Sequence, residues 1–481
     1  MIIKNNKEDF LSYLEDTSNI EGHAESLYIP HTQDELVTLV ARCNQEKIPL
    51  TISAGRTGTT GGCVPQEGVL VSLEEFNRIL SIDKEHKRVS VQAGVVLEDL
   101  ERELNRHRLA LRAQPTESLA CVGGAVSTAA SGVRGYRWGG IRKYVERIKI
   151  LFVDGTVFDI CRGEIFAHQG KITVPLGGRT KEIRLPSYRM PHTKTQAGYF
   201  VAPDMDLIDL FIGSEGTLGI ILEIEFSVQE LAEEIFDCIV FFKEEKDAFR
   251  FVETIKEKKS KKALNPTSLE FLDARSLRFL GEEYPQAASY AAAVYIEQEE
   301  SSPVSSIAAW IELIESSGAL PNETWFGDSI LTRKKIFEFR HKLPQRINEF
   351  LKTHRQRKLS TDVAVPEERF LEMYGFYAKE GASSGIEFVN FGHIGENHLH
   401  FNFLPRNDDE YRKAKEYTSK FIKKAIELGG TVSAEHGIGK LKKESLLLMY
   451  GEEAVGQMRV LKGQFDPNWI LNRGNIFDCK E

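Results

Sequence analysis

The chain has 481 residues, enough for two or three domains at roughly 100 to 200 residues each. Hydrophobic residues make up 41% and charged residues 28%, which argues against a disordered, collagenous or coiled-coil protein. With 62 Lys and Arg against 71 Asp and Glu the net charge is -9, so a general electrostatic grip on nucleic acid or anionic lipid is not expected.

In chain order, the opening MIIKNNKEDF has no basic segment followed by an apolar run, and no stretch approaches the ~18 uninterrupted apolar residues of a membrane span. The six cysteines (Cys43, Cys63, Cys121, Cys161, Cys238, Cys479) show no zinc, CxxC or iron-sulfur spacing and read as reduced thiols. A cytoplasmic protein without a transmembrane segment is expected. The first 230 residues set Gly-rich turns between short β-branched runs, such as VSVQAG at 89 to 94 and Ile148 to Val153, an α+β pattern.

From 235 the pattern changes to a strand-like IFDCIVFF, an amphipathic helix to about 258, strand-like SLEFL, and YAAAVYIE from 290 before another helix. This predicts an antiparallel sheet with flanking helices. The KEKKSKK run from Lys256 reads as the solvated end of a helix rather than a nucleic-acid patch. A helix over Ile336 to Arg357, strand-like STDVAVP, the hairpin-like VNFGHIGENHLHFNFLP and a helix from 408 to 428 ending at Gly429 and Gly430 follow.

The stretch SAGRTGTTGG, Ser53 to Gly62, packs four glycines and four hydroxyls into ten residues after the strand-like LTI. Such a loop can aim backbone N–H groups at a diphosphate with no side chain in the way. Neither GxGxxG nor a Walker GxxxxGK[ST] occurs, so a Rossmann fold and a P-loop are not supported.

Together with QPTESLACVGGAVSTAASGVRGYRWGG (114 to 140), VDG (153 to 155) and FIGSEGTLGIILE (211 to 223), this stretch resembles the FAD-binding domain of the vanillyl-alcohol oxidase-like, or PCMH-type, flavoproteins. The resemblance implies that N–H groups of Arg56, Thr57, Gly58 and Thr59 hold the FAD diphosphate. It further implies that Pro115, Thr116, Ser118, Gly123, Gly124, Thr128, Ser131, Gly132 and Val133 line the flavin, with Glu215, Gly219, Ile220 and Asn472 nearby. Ser53 stands where the family usually has Arg, and Ala125 where it often has Asn. Arg134 and Arg137 read as solvated surface.

The second constellation is GHIGENHLHFN (392 to 402) with SAEHGIGK (433 to 440). In a strand, His398, His400 and Asn402 share one face while Leu399, Phe401 and Phe403 share the other. A turn at GEN can return His393 to the side of His400, and two imidazoles with the carboxylate of Glu435 would make a catalytic rather than a structural metal site. Only 12 histidines occur, and four of them (His393, His398, His400, His436) stand within 44 residues.

These motifs resemble the flavoproteins that oxidise D-2-hydroxy acids, the glycolate, D-lactate and D-2-hydroxyglutarate dehydrogenases. The resemblance implies metal ligation by His393, His400 and Glu435 and a base at His436. The family's usual Asp-Gly-Asn is Glu396, Asn397 and His398 here, so His398 either replaces a ligand or, with Asn402, contacts substrate. Arg340 in FEFRHKL matches an Arg that can clamp the substrate carboxylate. The tail FDPNWILNRGNIF resembles the family's D-P-x-x-x-L-N-P-G, with Arg473 in place of Pro, while 161 to 195 has no clear counterpart.

The architecture implied is α+β: a two-subdomain PCMH-type FAD-binding domain over 1–230, a cap domain with an antiparallel sheet and flanking helices over 231–425, and a C-terminal segment over 426–481 that returns to the first domain. The activity implied is FAD-dependent oxidation of a D-2-hydroxy acid such as glycolate or D-lactate to the 2-oxo acid. A divalent Zn, Mn or Fe ion assists, hydride passes to the flavin N5, and an unidentified acceptor takes the electrons. Two alternatives stay open: a transferase like the alkyl-dihydroxyacetonephosphate synthases, and the FAD subunit of a multi-component glycolate oxidase. A homodimer or a partner subunit is compatible with either enzyme reading, and no nucleic-acid partner is expected.

Overall fold

A computed structural model of the chain describes residues 1–176, 179–260, 264–300 and 304–479. The first sheet orders strands Ile2–Lys4, Ser26–Ile29, Val69–Ser72 and Leu50–Ser53, with Val69–Ser72 parallel to both of its neighbours. Helix Gln33–Glu46 covers it, started by Thr32, whose side chain accepts from Glu35 N, and buried along Leu36, Leu39, Val40 and Cys43. That spacing is one face of a helix. Strand Leu50–Ser53 ends directly in the glycine-rich loop.

The second sheet is antiparallel throughout, in the order Ile79–Asp83, Arg88–Gln92, Ile220–Ser227, Val145–Leu151, Val157–Cys161. Its last strand in sequence, Ile220–Ser227, lies at the centre. The preceding GSEGTLG turn is thereby anchored in the core of this half.

The third sheet has seven antiparallel strands, ordered Trp325–Phe326, Glu234–Phe242, Ala292–Glu300, Ser268–Asp273, Phe388–His393, His398–Phe403, Leu359–Ser360. One face buries Val240, Phe271 and Val294 against helices Glu245–Ser260 and Val304–Ser316. Phe388, Phe401 and Phe403 bury against helices Phe370–Ser384 and Asp408–Glu427. The opposite face packs Ile239, Phe241, Leu272 and Tyr295 on helix Ile330–Thr353. That helix begins earlier than expected because Ser329 and Thr332 form a capping box, and it ends at Thr353, short of Arg357.

Two other expectations need correction. STDVAVP forms a strand only at Leu359–Ser360; beyond it the chain bends to present Asp362, whose carboxylate is occupied by the loop near 435. The Lys256 run is not simply solvated. Lys256 Nζ donates to Asn397 Oδ1 (2.6 Å) and pairs with Glu367 (3.2 Å), and Lys259 Nζ sits 3.6 Å from the Tyr136 ring centroid. Lys261 and Lys262 of that run lie outside the described residues.

The tail shares the core of the N-terminal half. Leu446, Met458 and Leu461 of helix Lys443–Phe465, then Ile470 and Leu471, bury there, and Asn472 N donates to Leu50 O (2.9 Å). Among the described residues no helix is long and apolar enough to cross a membrane.

Arg134 and Arg137 are not solvated surface: they join the N-terminal half to the seven-stranded sheet. Arg134 forks onto Glu297 (2.7 and 3.3 Å), Arg137 donates to Glu299 O (3.1 Å), Trp138 Nε1 donates to Glu299 Oε2 (3.2 Å), and Arg112 pairs with the buried Glu299. Removing one member of a buried pair strands the other charge, at a cost of about 3 to 5 kcal/mol. Arg112→Met is therefore expected to lower the denaturant midpoint markedly, whereas Arg108→Met, which breaks the exposed Arg108–Glu233 pair, should not. Equal midpoints for the two variants would contradict this.

The same interface carries a pH dependence. Burial raises the Glu297 carboxyl pKa, but Arg134 and a hydrogen bond from Thr267 outweigh it and hold it below the usual range. A depressed folded value means its stabilisation is complete above the unfolded carboxyl value, about 4.3, and is lost as pH falls through the lower folded value. Glu297→Gln should flatten the acid limb of the stability profile; an unchanged limb would count against this.

Candidate active site

A cavity of about 320 Å³ runs between the two N-terminal sheets, walled by Ser53 to Thr60, Pro115 to Glu117, Gly123 to Ser131 in part, Glu215, and Gly219 to Ile221. Its inner end is closed by Glu435, His436, Asn472 and Asn475 from the C-terminal segment. Of the residues expected at FAD, all line this wall except Ser118, Gly132 and Val133. Ser118 is exposed and its carbonyl accepts from Glu98 N (2.9 Å). A Cβ on Gly132 would stand 2.6 Å from Gln114 O, so that glycine sets the path of Pro115 and Thr116 from behind, and Val133 follows it away from the wall.

The chain fits FAD there. The N–H groups of Arg56, Thr57, Gly58 and Thr59 have no backbone acceptor among the described residues, and the buried Ser53 Oγ in the same wall has no partner. Buried polar groups are ordinarily satisfied, so the idle Ser53 hydroxyl in this glycine-rich wall points to a polar ligand. Arg56, Glu215 and Asn472 hold φ of 54°, 52° and 41°, strain of the kind that clusters at binding sites.

The wall is braced across the chain. Asn472 Oδ1 accepts from Ile52 N and its Nδ2 donates to Glu215 O, both at 2.8 Å. The Glu215 carboxylate accepts from Ile438 N (2.6 Å) and Gly439 N (2.7 Å). Burial pushes its pKa up despite those bonds.

Two thiols face the cavity. Burial pushes Cys63 up to about 12 and Cys121 up to about 11, so neither is a thiolate nucleophile near neutral pH. Acid precipitation should release the flavin into the supernatant; flavin retained in the pellet would contradict this.

Beyond the inner end stands a cluster built by strand pairing. Register pairs His393 with His398 and Phe391 with His400, which puts the three imidazoles on one face, as the alternation predicts. One potential ligand atom from each of His393, His398, His400 and Glu435 lies within 4.8 Å of the others.

Outer partners orient these rings. His393 Nδ1 is 2.5 Å from Glu270 Oε1 and its Nε2 is 3.3 Å from Glu435 Oε1. His400 Nδ1 is 3.2 Å from Thr361 O, an acceptor, which makes Nδ1 the protonated nitrogen and leaves the Nε2 lone pair free. Such outer contacts fix the tautomer of metal-binding histidines. The donor set therefore fits a divalent cation.

The carboxylates make the cluster attractive to positive charge. Burial disfavours charge on His393, but Glu435 and Glu270 outweigh it and raise it to about 10, so a metal ion there would have to displace the proton. Burial, then His398 and His393, keep His400 well below its usual value and neutral. Burial favours protonated Glu435, yet His393 and Lys194 hold it well below the carboxylate range.

His436 reaches the cavity with 38% of its side chain exposed, and its Nδ1 lies 3.1 Å from Asp362 Oδ2. Adjacent strand residues would face opposite ways, but Gly437 has φ 72°, a left-handed turn that lets Glu435 and His436 both meet the cavity. A Cβ at 437 would stand 2.7 Å from Glu215 Oε1.

Three residues expected to touch substrate do not line the cavity. Arg340 Nε donates to Glu270 Oε2 (2.9 Å), so its fork is engaged one residue behind His393. Asn402 is fully buried, two residues past His400 on the same face, and its Nδ2 donates to His400 O (3.0 Å). His398 is fully buried within the imidazole cluster.

Sequence reasoning missed Glu270, Asp362 and Lys194. The first two carried a signal, a carboxylate inside an otherwise apolar strand-like run. Lys194, whose ammonium pairs with Glu435 and with Glu396 (2.6 Å), carried none, since it lies in the segment without a counterpart.

Residues 24–160 match the FAD binding domain family and residues 237–476 match the C-terminal domain of FAD linked oxidases. A D-lactate dehydrogenase from Anaerostipes hadrus is 30% identical over 459 residues, covering 92% of this chain and 87% of its own. The glycolate oxidase subunit GlcD of Bacillus subtilis (strain 168) is 27% identical over 468 residues, covering 96% and 90%. In structure, a 4-ethylphenol oxidase from Gulosibacter chungangensis superposes with a TM-score of 0.72 at 17% identity over 100% of this chain and 94% of its own, which speaks to fold alone. The chain belongs to the FAD-linked oxidases and is an FAD-dependent oxidoreductase.

Proposed function

We propose that the protein oxidises a D-2-hydroxy acid, such as D-lactate or glycolate, to the 2-oxo acid with the help of a divalent ion held by His393, His400 and Glu435. The observation that carries the reading is the meeting of Glu435 and His436 at the inner end of the FAD cavity, with the imidazole cluster behind them. The names of the relatives support the substrate class.

When bound, FAD would supply the acceptor for the hydride on the substrate Cα, and a divalent ion held by His393, His400 and Glu435 would supply Lewis acidity at the α-hydroxy carboxylate. His436 accepts the hydroxyl proton at Nε2, because Asp362 occupies Nδ1. Asp362 also stabilises the imidazolium that forms, and the partial exposure of His436 gives the proton a route to solvent. Glu270 holds His393 in orientation, and Arg340 holds Glu270. Arg340 is thus a positioning residue in this reading, and Asn402 fixes the strand beside His400. The electrons leave to an outside acceptor, and the free thiols support a reducing, cytoplasmic setting.

Turnover with a redox dye tests the reading. A D-2-hydroxy acid should yield one 2-oxo acid per two-electron dye reduction, with its L enantiomer inert. Turnover of neither enantiomer of any short 2-hydroxy acid would overturn it.

A further inference from the structure

Resting on the metal reading above, we propose that His398 is a fourth protein ligand, so that the ion is held by three imidazoles and one carboxylate. His398 stands where the family's pattern has Asn, and it is fully buried. Among the described residues neither of its ring nitrogens has a partner in hydrogen-bond geometry. Nε2 lies 3.2 Å from Asp362 Oδ1 but out of hydrogen-bond alignment, and Nδ1 lies 3.9 Å from Glu435 Oε1.

A buried imidazole with two idle nitrogens is costly. A cation among the rings relieves this: Nδ1 gives its lone pair to the ion, and a small rotation lets Nε2–H donate to Asp362. Its ring centroid is 5.4 Å from that of His393 and 4.4 Å from that of His400, so the three rings already converge. Lys194, now on Glu435, keeps Glu396 as a partner at 2.6 Å when the ion takes that carboxylate. Glu396 belongs to the same altered turn as His398.

The consequence is selectivity. Imidazole-rich sites suit Zn²⁺ and Fe²⁺, whereas carboxylate and water suit Mn²⁺ and Mg²⁺. His398 should therefore tilt this chain toward Zn²⁺ over Mn²⁺.

The test uses the FAD-loaded full chain, stripped by chelator and reloaded with Zn²⁺ or Mn²⁺. X-ray absorption at Zn should count three imidazoles in the parent and two in His398→Asn. Chelator competition should show Zn²⁺ affinity falling by about 10²-fold in His398→Asn and His398→Gln, with a smaller loss for Mn²⁺. The visible flavin spectrum and thermal unfolding check that the variants are folded, and the parent's imidazole count needs no variant. Two imidazoles in the parent, or unchanged Zn²⁺ affinity in both variants, overturns the proposal while leaving the metal reading intact. A parent that takes up neither ion overturns both.

Discussion

Replacing His436 by Asn is expected to slow anaerobic flavin reduction by about 10² to 10⁴, the usual worth of a positioned base, while FAD stays bound. The side chain is the one imidazole of the group that lines the FAD cavity, and Asp362 ties down its Nδ1. Asn keeps a polar group of similar size but cannot accept the proton. The glycine-rich loop, the 115 to 131 segment and the Glu215 region make most of the cavity proposed for FAD, so the variant should remain yellow. Asp362→Asn should act in the same direction, since it removes the carboxylate that orients the ring. If His436→Asn reduced its flavin at the parental rate, the base would have to be sought elsewhere on the cavity wall.

Exchanging Glu435 for Gln is expected to remove the ion and turnover together. This is the single carboxylate in the cluster, and it lies at the boundary between the imidazoles and the FAD cavity. A Lewis acid at a developing oxyanion supplies several kcal/mol, which at about 1.4 kcal/mol per decade is on the order of 10³-fold in rate. Gln also leaves Lys194 and His393 without their anionic partner, so metal content must be measured beside the flavin spectrum. Chelation of the parent should reproduce the loss and readdition should reverse it, whereas the variant should not respond to added metal. Full activity in the parent after exhaustive chelation, with metal absent by elemental analysis, would contradict the assignment.

Much of this site was legible because it rests on local rules. Period-two alternation puts His398 and His400 on one face, and a short turn at 394 to 397 folds His393 across from them. Gly437 announced the bend that turns Glu435 and His436 to one cavity. What stayed hidden depends on contacts distant in sequence. Glu270 meets His393 through pairing of strands more than a hundred residues apart, and Arg340 reaches Glu270 from helix Ile330–Thr353, packed on a face of the same sheet. Arg134 and Arg137 looked solvated because nothing local reveals that Glu297 and Glu299 arrive from another sheet. Asp362 broke a strand-like run for the same reason: the loop it serves lies over seventy residues away.

The central claim is that FAD in this chain is reduced by a D-2-hydroxy acid at the site formed by Glu435 and His436. The most direct measurement is anaerobic mixing of the metal-loaded flavoprotein with the D and L enantiomers of lactate and of longer 2-hydroxy acids, and with glycolate, followed by visible absorbance. The account predicts rapid bleaching of the oxidised flavin by at least one D-acid or by glycolate, with the matching 2-oxo acid formed and no bleaching by L enantiomers. A flavin that stays oxidised with every one of these acids, yet is bleached by dithionite, would contradict it.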